Sequence, residues 1–124
     1  MNTLAKTITQ SELSIEFLKS LNGLMNLSNR ELELLSVFLD IQLEIQKRKL
    51  KVSIDSAQNR KLVMMMTGIT KDNLSRYIKK YKNRGLIIKY DNILAINKVL
   101  VPIVIGNKSV QIAMVLKIKS NDNL

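Results

Sequence analysis

Gly85 divides the chain between two periodicities. Before it, apolar residues recur every three or four positions; after it, they run in short blocks between turn signals. Helices first and strands last imply an α+β fold sharing one core. A length of 124 residues with 46% hydrophobic side chains suits one such domain.

The helical part falls into four pieces. Residues 11–22 set Leu13, Phe17, Leu18 and Leu21 at helical spacing, with Gly23 able to supply a left-handed cap. Ser28-Asn29-Arg30-Glu31 reads as a capping box, and Leu27 can staple to Leu32. Leu34, Leu35, Phe38, Leu39, Ile41, Leu43 and Ile45 then form a broad apolar face, and Gln46 to Lys49 place cations at the negative end of the helix. Lys51 to Asp55 alternates like a short strand, with Ser53 or Asp55 placed to cap a third helix. That helix carries Ala57, Leu62, Val63 and Met64, Met65 and Met66, and ends near Thr67. The three Met span most of a turn, so at least one should be exposed or meet a partner, and core packing accounts for the other two. After the turn Gly68-Ile69-Thr70, a helix from Lys71 to Arg84 is capped by Thr70 and turns Leu74, Tyr77, Ile78 and Tyr81 inward.

Beyond Gly85, residues 86–90, the turn Asp91-Asn92 and residues 93–96 read as a β-hairpin. Pro102 interrupts the chain. Ile103 to Ile105, the turn Gly106-Asn107-Lys108 and Ser109 to Ile118 read as a second hairpin, followed by a polar tail. The organisation expected is an N-terminal helical arm (1–26), a core (27–97) and a C-terminal hairpin with its tail (98–124).

The formal charge of +10 is unevenly placed. Residues 1–45 carry a net −3, residues 46–61 a net +5 and residues 71–89 a net +6. A field concentrated in this way attracts a polyanion. The chain has no Cys and no His, which removes thiolate and imidazole metal ligands and the commonest general base. The acids show no pairing that suggests catalysis, so no enzymatic role, metal or cofactor is expected. Two Phe, three Tyr and no Trp supply few stacking platforms for single-stranded nucleic acid. No basic-apolar-small order marks a signal peptide, and no apolar run nears the ~18 residues a membrane span needs. The expectation is a soluble protein of the bacterial cytoplasm, with no membrane partner, or alternatively a virion component.

The stretch Arg60 to Leu86 resembles the helix-turn-helix of winged-helix proteins. The likeness lies in Thr67-Gly68-Ile69-Thr70, then Asn73-Leu74-Ser75-Arg76-Tyr77-Ile78, then Lys82-Asn83-Arg84-Gly85-Leu86-Ile87. It departs at Met64, where the family usually has Ala, and at Asp72, an acid on a surface meant for phosphates. The resemblance implies a winged helix-turn-helix with N-terminal helices, a long helix and a hairpin wing, here with an extra C-terminal hairpin. It also implies that helix 71–84 enters the major groove of double-stranded DNA while the wing touches the flanking backbone. Lys71, Ser75, Arg76 and Lys79 would face outward, with Arg76 on a base edge and the lysines on phosphates. Lys80, Lys82, Arg84 and the wing residue Lys89 would extend that footprint, and Lys47, Arg48, Lys49 and Lys51 could add a second contact. Such a protein would be a regulator or a replication-associated factor.

Together with Leu27-Ser28, the run Arg30-Glu31-Leu32-Glu33-Leu34-Leu35, the motif at 67–87 and the second hairpin, the chain also resembles small proteins of crAss-like phages of gut Bacteroidetes. That likeness implies a virion structural role, such as a ring of the portal–tail connector, with neighbouring virion proteins as partners. The apolar excess of residues 28–45 and the acidic N-terminal third suggest a homo-oligomer, acidic end to basic middle.

Overall fold

The computed structural model describes residues 5–105, 109–110, 112 and 115–119. Four helices lead into a two-stranded antiparallel sheet, an α+β arrangement around one core. The helices are α1 (Leu13–Met25), α2 (Asn29–Arg48), α3 (Ala57–Thr67) and α4 (Lys71–Asn83). The strands are β1 (Ile87–Tyr90) and β2 (Ile93–Ile96), with a short ladder of β3 (Val104–Ile105) and β4 (Ser109–Val110) beyond them.

The long helix α2 is the axis of the core. Its Leu34, Leu35, Phe38 and Leu39 are wholly buried. The expected capping box forms: the Glu31 N–H donates to the Ser28 hydroxyl at 3.2 Å, and the Ser28 N–H donates to the Glu31 carboxylate at 3.0 Å. One side of α2 is covered by Phe17, Leu18, Leu21 and Met25 of α1, so the N-terminal arm belongs to the core. Much of the apolar excess of α2 is thus covered within the chain.

Several boundaries differ from expectation. Gly23 lies inside α1, and Asn26 at φ 55° ends the helix. Burying Met25 outweighs the cost of about 1 kcal/mol for a helical glycine. Residues 51–55 form no strand. Instead Ile54 N–H donates to Leu94 O at 3.0 Å, and Leu94 N–H donates to the Ser53 hydroxyl at 3.0 Å. A side-chain oxygen thus takes the place of one rung of a ladder. The cap of α3 is Ser56, which accepts from Asn59 N–H, because Ser53 and Asp55 are engaged elsewhere. Of the three methionines, Met65 and Met66 are both exposed and only Met64 packs against the core, since α3 buries Val63 alone.

The turn between α3 and α4 forms as expected. Gly68 sits at φ 72° and its N–H closes on Met64 O at 2.9 Å. Ile69 is buried, and Thr70 accepts from Asn73 N–H. Leu74, Ile78 and Tyr81 of α4 are buried, and Tyr77 is half-buried. Burial pushes the Tyr81 phenol well up, and its hydroxyl donates to Glu31 O at 2.7 Å. Asp91 and Asn92, both at positive φ, make the two-residue turn between β1 and β2. The Ile96 N–H donates to Gln42 of α2 at 3.0 Å, tying the hairpin to the long helix.

The second hairpin is much shorter than expected. Among the described residues its ladder is limited to Val104 with Val110 and Ile105 with Ser109. Ile112 and residues 115–119 carry no regular structure. The turn expected at Gly106-Asn107-Lys108 and the tail residues 120–124 lie outside the described residues.

Candidate nucleic-acid interface

The spacing of α4 sorts its side chains into an inner and an outer face. Leu74, Ile78 and Tyr81 point inward, so Asp72, Arg76, Lys79 and Asn83, spaced by four, three and four, share the opposite face. Lys71, Arg76, Lys79, Lys82 and the hairpin residue Lys89 are all exposed, with no ion-pair partner among the described residues. Asp72 sits exposed in the first turn, where the helix dipole favours it.

Three of the expected contacts are engaged within the chain. Lys80 Nζ lies 2.6 Å from the Glu31 carboxylate of α2, which is nearly buried. The hydrogen bond from Lys80, and then that from the Ser28 amide, hold the Glu31 carboxyl at about 2. Lys80 therefore braces α4 against α2 as well as facing solvent. The Ser75 hydroxyl, though exposed, accepts from Arg60 Nη1 at 3.0 Å. Arg84 donates to Met25 O and so caps the end of α1.

Arg60 is the residue that sequence reasoning passed over. Its Nε donates to Asp55 O at 3.1 Å, and its Nη2 lies 3.5 Å from the Asp55 carboxylate. One guanidinium thereby links the entry to α3 with the middle of α4. The only trace in the sequence is an Arg five residues after an Asp.

Two clefts flank α4. One, of about 340 Å³, is lined by Ser28, Glu31, Arg76, Tyr77 and Lys80. The other, of about 440 Å³, is lined by Asp55, Arg60, Ser75, Ile78, Lys79, Lys82 and Asn83. The second gathers four cationic or hydroxyl groups against one carboxylate that Arg60 already engages. Lys47 in the last turn of α2 and Lys49 and Lys51 beyond it are exposed, whereas Arg48 pairs with Glu44 at 2.7 Å.

The acids of the N-terminal third are largely used up locally. Glu16, Glu31, Glu33 and Glu44 each pair with a cation of the same chain.

Among the described residues no group of three or more acids could hold a metal ion, and no helix is long and apolar enough to cross a membrane. No protein-family model matches the chain, nor does any curated protein or solved structure.

Proposed function

We infer that the chain is a winged helix-turn-helix module that binds double-stranded DNA, with α4 in the major groove and the β1–β2 hairpin as its wing. The observation that carries this reading is the outer face of α4, where Arg76 and Lys79 stand exposed and unpaired among the described residues. Arg76 suits a guanine edge because its fork can pair bidentately. Lys71, Lys79, Lys82 and Lys89 suit phosphates, which position without specifying. Lys80 and Ser75 support α4 through Glu31 and Arg60, and contribute to DNA binding chiefly by holding the helix in place. The protein acts by binding and not as an enzyme, as a regulator or replication-associated factor.

The test is a duplex titration at two salt concentrations. Four phosphate contacts imply an affinity loss on the order of a hundred-fold between 50 and 200 mM salt. A salt-insensitive or absent duplex affinity overturns the reading.

A second reading, a subunit of a larger assembly such as a virion connector ring, is favoured by the exposed apolar residues Val115, Leu116 and Ile118. It requires a large, defined oligomer with no duplex affinity, which light scattering beside the same titration would reveal.

A further inference from the structure

The larger cleft beside α4 holds a guanidinium that is fixed in place but not used up. Asp55 takes the Nε–Nη2 edge of Arg60, its backbone oxygen at 3.1 Å and its carboxylate at 3.5 Å, and the Ser75 hydroxyl accepts from Nη1 at 3.0 Å. A guanidinium carries five N–H groups. Three are engaged, which leaves two, one on each terminal nitrogen, without an acceptor among the described residues. The side chain keeps 31% of its surface exposed and lines the cleft.

The other cations of the cleft come from α4. Ser75, Lys79 and Lys82 follow one another at spacings of four and three, and so run down one stripe of the helix. All three line the cleft, and neither lysine has an ion-pair partner among the described residues. The one acid, Asp55, is only 19% exposed at its side chain and is engaged by Arg60. Three cations against one acid leave the cleft a net two positive charges. A strut between helices would account for the chain Asp55–Arg60–Ser75, but it does not account for two unpaired lysines on the same cleft. A preset fork beside two flexible ammonium groups suits a phosphate: the fork gives N–H groups to its oxygens, and the lysines act as point charges.

We propose that this cleft seats one phosphate group, bound by Arg60, Lys79 and Lys82, with Asp55 and Ser75 holding the guanidinium in place. The chemistry is the same for a phosphate of a duplex backbone and for a free phosphate ion. For the first source the proposal rests on the reading of α4 given above, and adds to it a contact from α3. It gives Arg60 a role that Ser75 does not share. Removing either side chain breaks the bond between the two helices, but only the loss of Arg60 takes a charge and a fork away from the ligand.

Both sources are tested on the full chain. Titrated with inorganic phosphate, the backbone amide resonances of Arg60, Lys79 and Lys82 should shift and saturate, while those of Lys47, Lys49 and Lys51, an exposed basic group outside the cleft, should shift little. Arg60→Gln should weaken that binding on the order of ten-fold, as the loss of a charged hydrogen bond implies, and Ser75→Ala should leave it nearly unchanged. In duplex titrations over a range of salt, Arg60→Gln should reduce the slope of affinity against salt by about one, and Ser75→Ala should not. Should Arg60→Gln fail to fold, Asp55→Asn serves in its place: it removes the one acid of the cleft, so phosphate should bind a few-fold tighter, and no gain overturns the proposal. Phosphate binding in the cleft with no duplex affinity, or with a salt slope indifferent to Arg60→Gln, upholds the site and makes the free ion its ligand; absent duplex affinity then overturns the reading of α4 alone. Shifts shared equally with Lys47, Lys49 and Lys51, or Arg60→Gln and Ser75→Ala acting alike in both titrations, overturn the cleft and leave the reading of α4 standing wherever the duplex still binds.

Discussion

The Arg60 guanidinium donates to the Ser75 hydroxyl at 3.0 Å across the two helices that meet at Gly68. The bond joins α4 to the entry of α3, because the same side chain donates to Asp55 O. Arg60→Ala should cost on the order of 1–2 kcal/mol, and Ser75→Ala about half as much. The double variant should fall short of the sum, with a coupling of about 0.5–1 kcal/mol in urea unfolding. If Ser75 acts by support, Ser75→Ala should lower stability while leaving the affinity of the folded protein for duplex nearly unchanged.

Glu31 makes stability depend on acid. Its carboxyl is held at about 2, below the ordinary 4.5, first by the hydrogen bond from Lys80 and next by the Ser28 amide. A lowered folded value means that its contribution is fully present above pH 4.5 and is lost as pH falls from there through about 2. Glu31→Gln should therefore destabilise by on the order of 1–2 kcal/mol at pH 7, discounted because Lys80 is half exposed. The gap between the two proteins should narrow as urea unfolding is repeated at successively lower pH.

The outer face of α4 separates reading from positioning. Arg76→Ala should cost about 1–3 kcal/mol of duplex affinity and relax preference at one base position. Lys79→Ala should weaken all duplexes alike and reduce the slope of affinity against salt by about one. Asp72→Asn removes the acid of that face, so binding should tighten a few-fold at low salt, while the helix loses about 0.3–1 kcal/mol of dipole stabilisation. Titrations against a site and a scrambled duplex distinguish the three.

Gly85 at φ 70° ends the approach to β1, and an added Cβ there would meet nothing within 4 Å. The penalty for a side chain is thus one of backbone conformation and not of space. Gly85→Ala should cost about 1–2 kcal/mol, and Gly85→Asn less, since asparagine tolerates the left-handed region. Denaturant midpoints of the two variants check the order.

Much of this architecture is legible in local chemistry. The Ser28–Glu31 box, the Thr70 cap, the turn at Gly68 and the Asp91-Asn92 hairpin each depend on residues within a few positions of one another. What escaped depends on distance in the sequence or on a choice among equals. Lys80 and Glu31 are 49 positions apart, so their pairing is invisible until α2 and α4 pack. Ser53, Asp55 and Ser56 are all capping types, and the Leu94 amide and the Arg60 guanidinium decide among them. The alternation in residues 51–55 is present, yet Ser53 contributes a hydroxyl where a strand would contribute a carbonyl. The outward reading of Arg76 and Lys79 needed only the spacing of Leu74, Ile78 and Tyr81.

Asn97 fastens the foot of the β1–β2 hairpin, its amide on Leu86 O at 2.9 Å and its side chain on Gly85 O at 3.0 Å. Leu100 then drops into the core one short helical turn later. The fold is latched before the chain reaches Pro102. A foreign tail grafted after Val101 would inherit nearly the whole module, and would have to replace only the cover that the buried Pro102 and the half-buried Val110 give the interior.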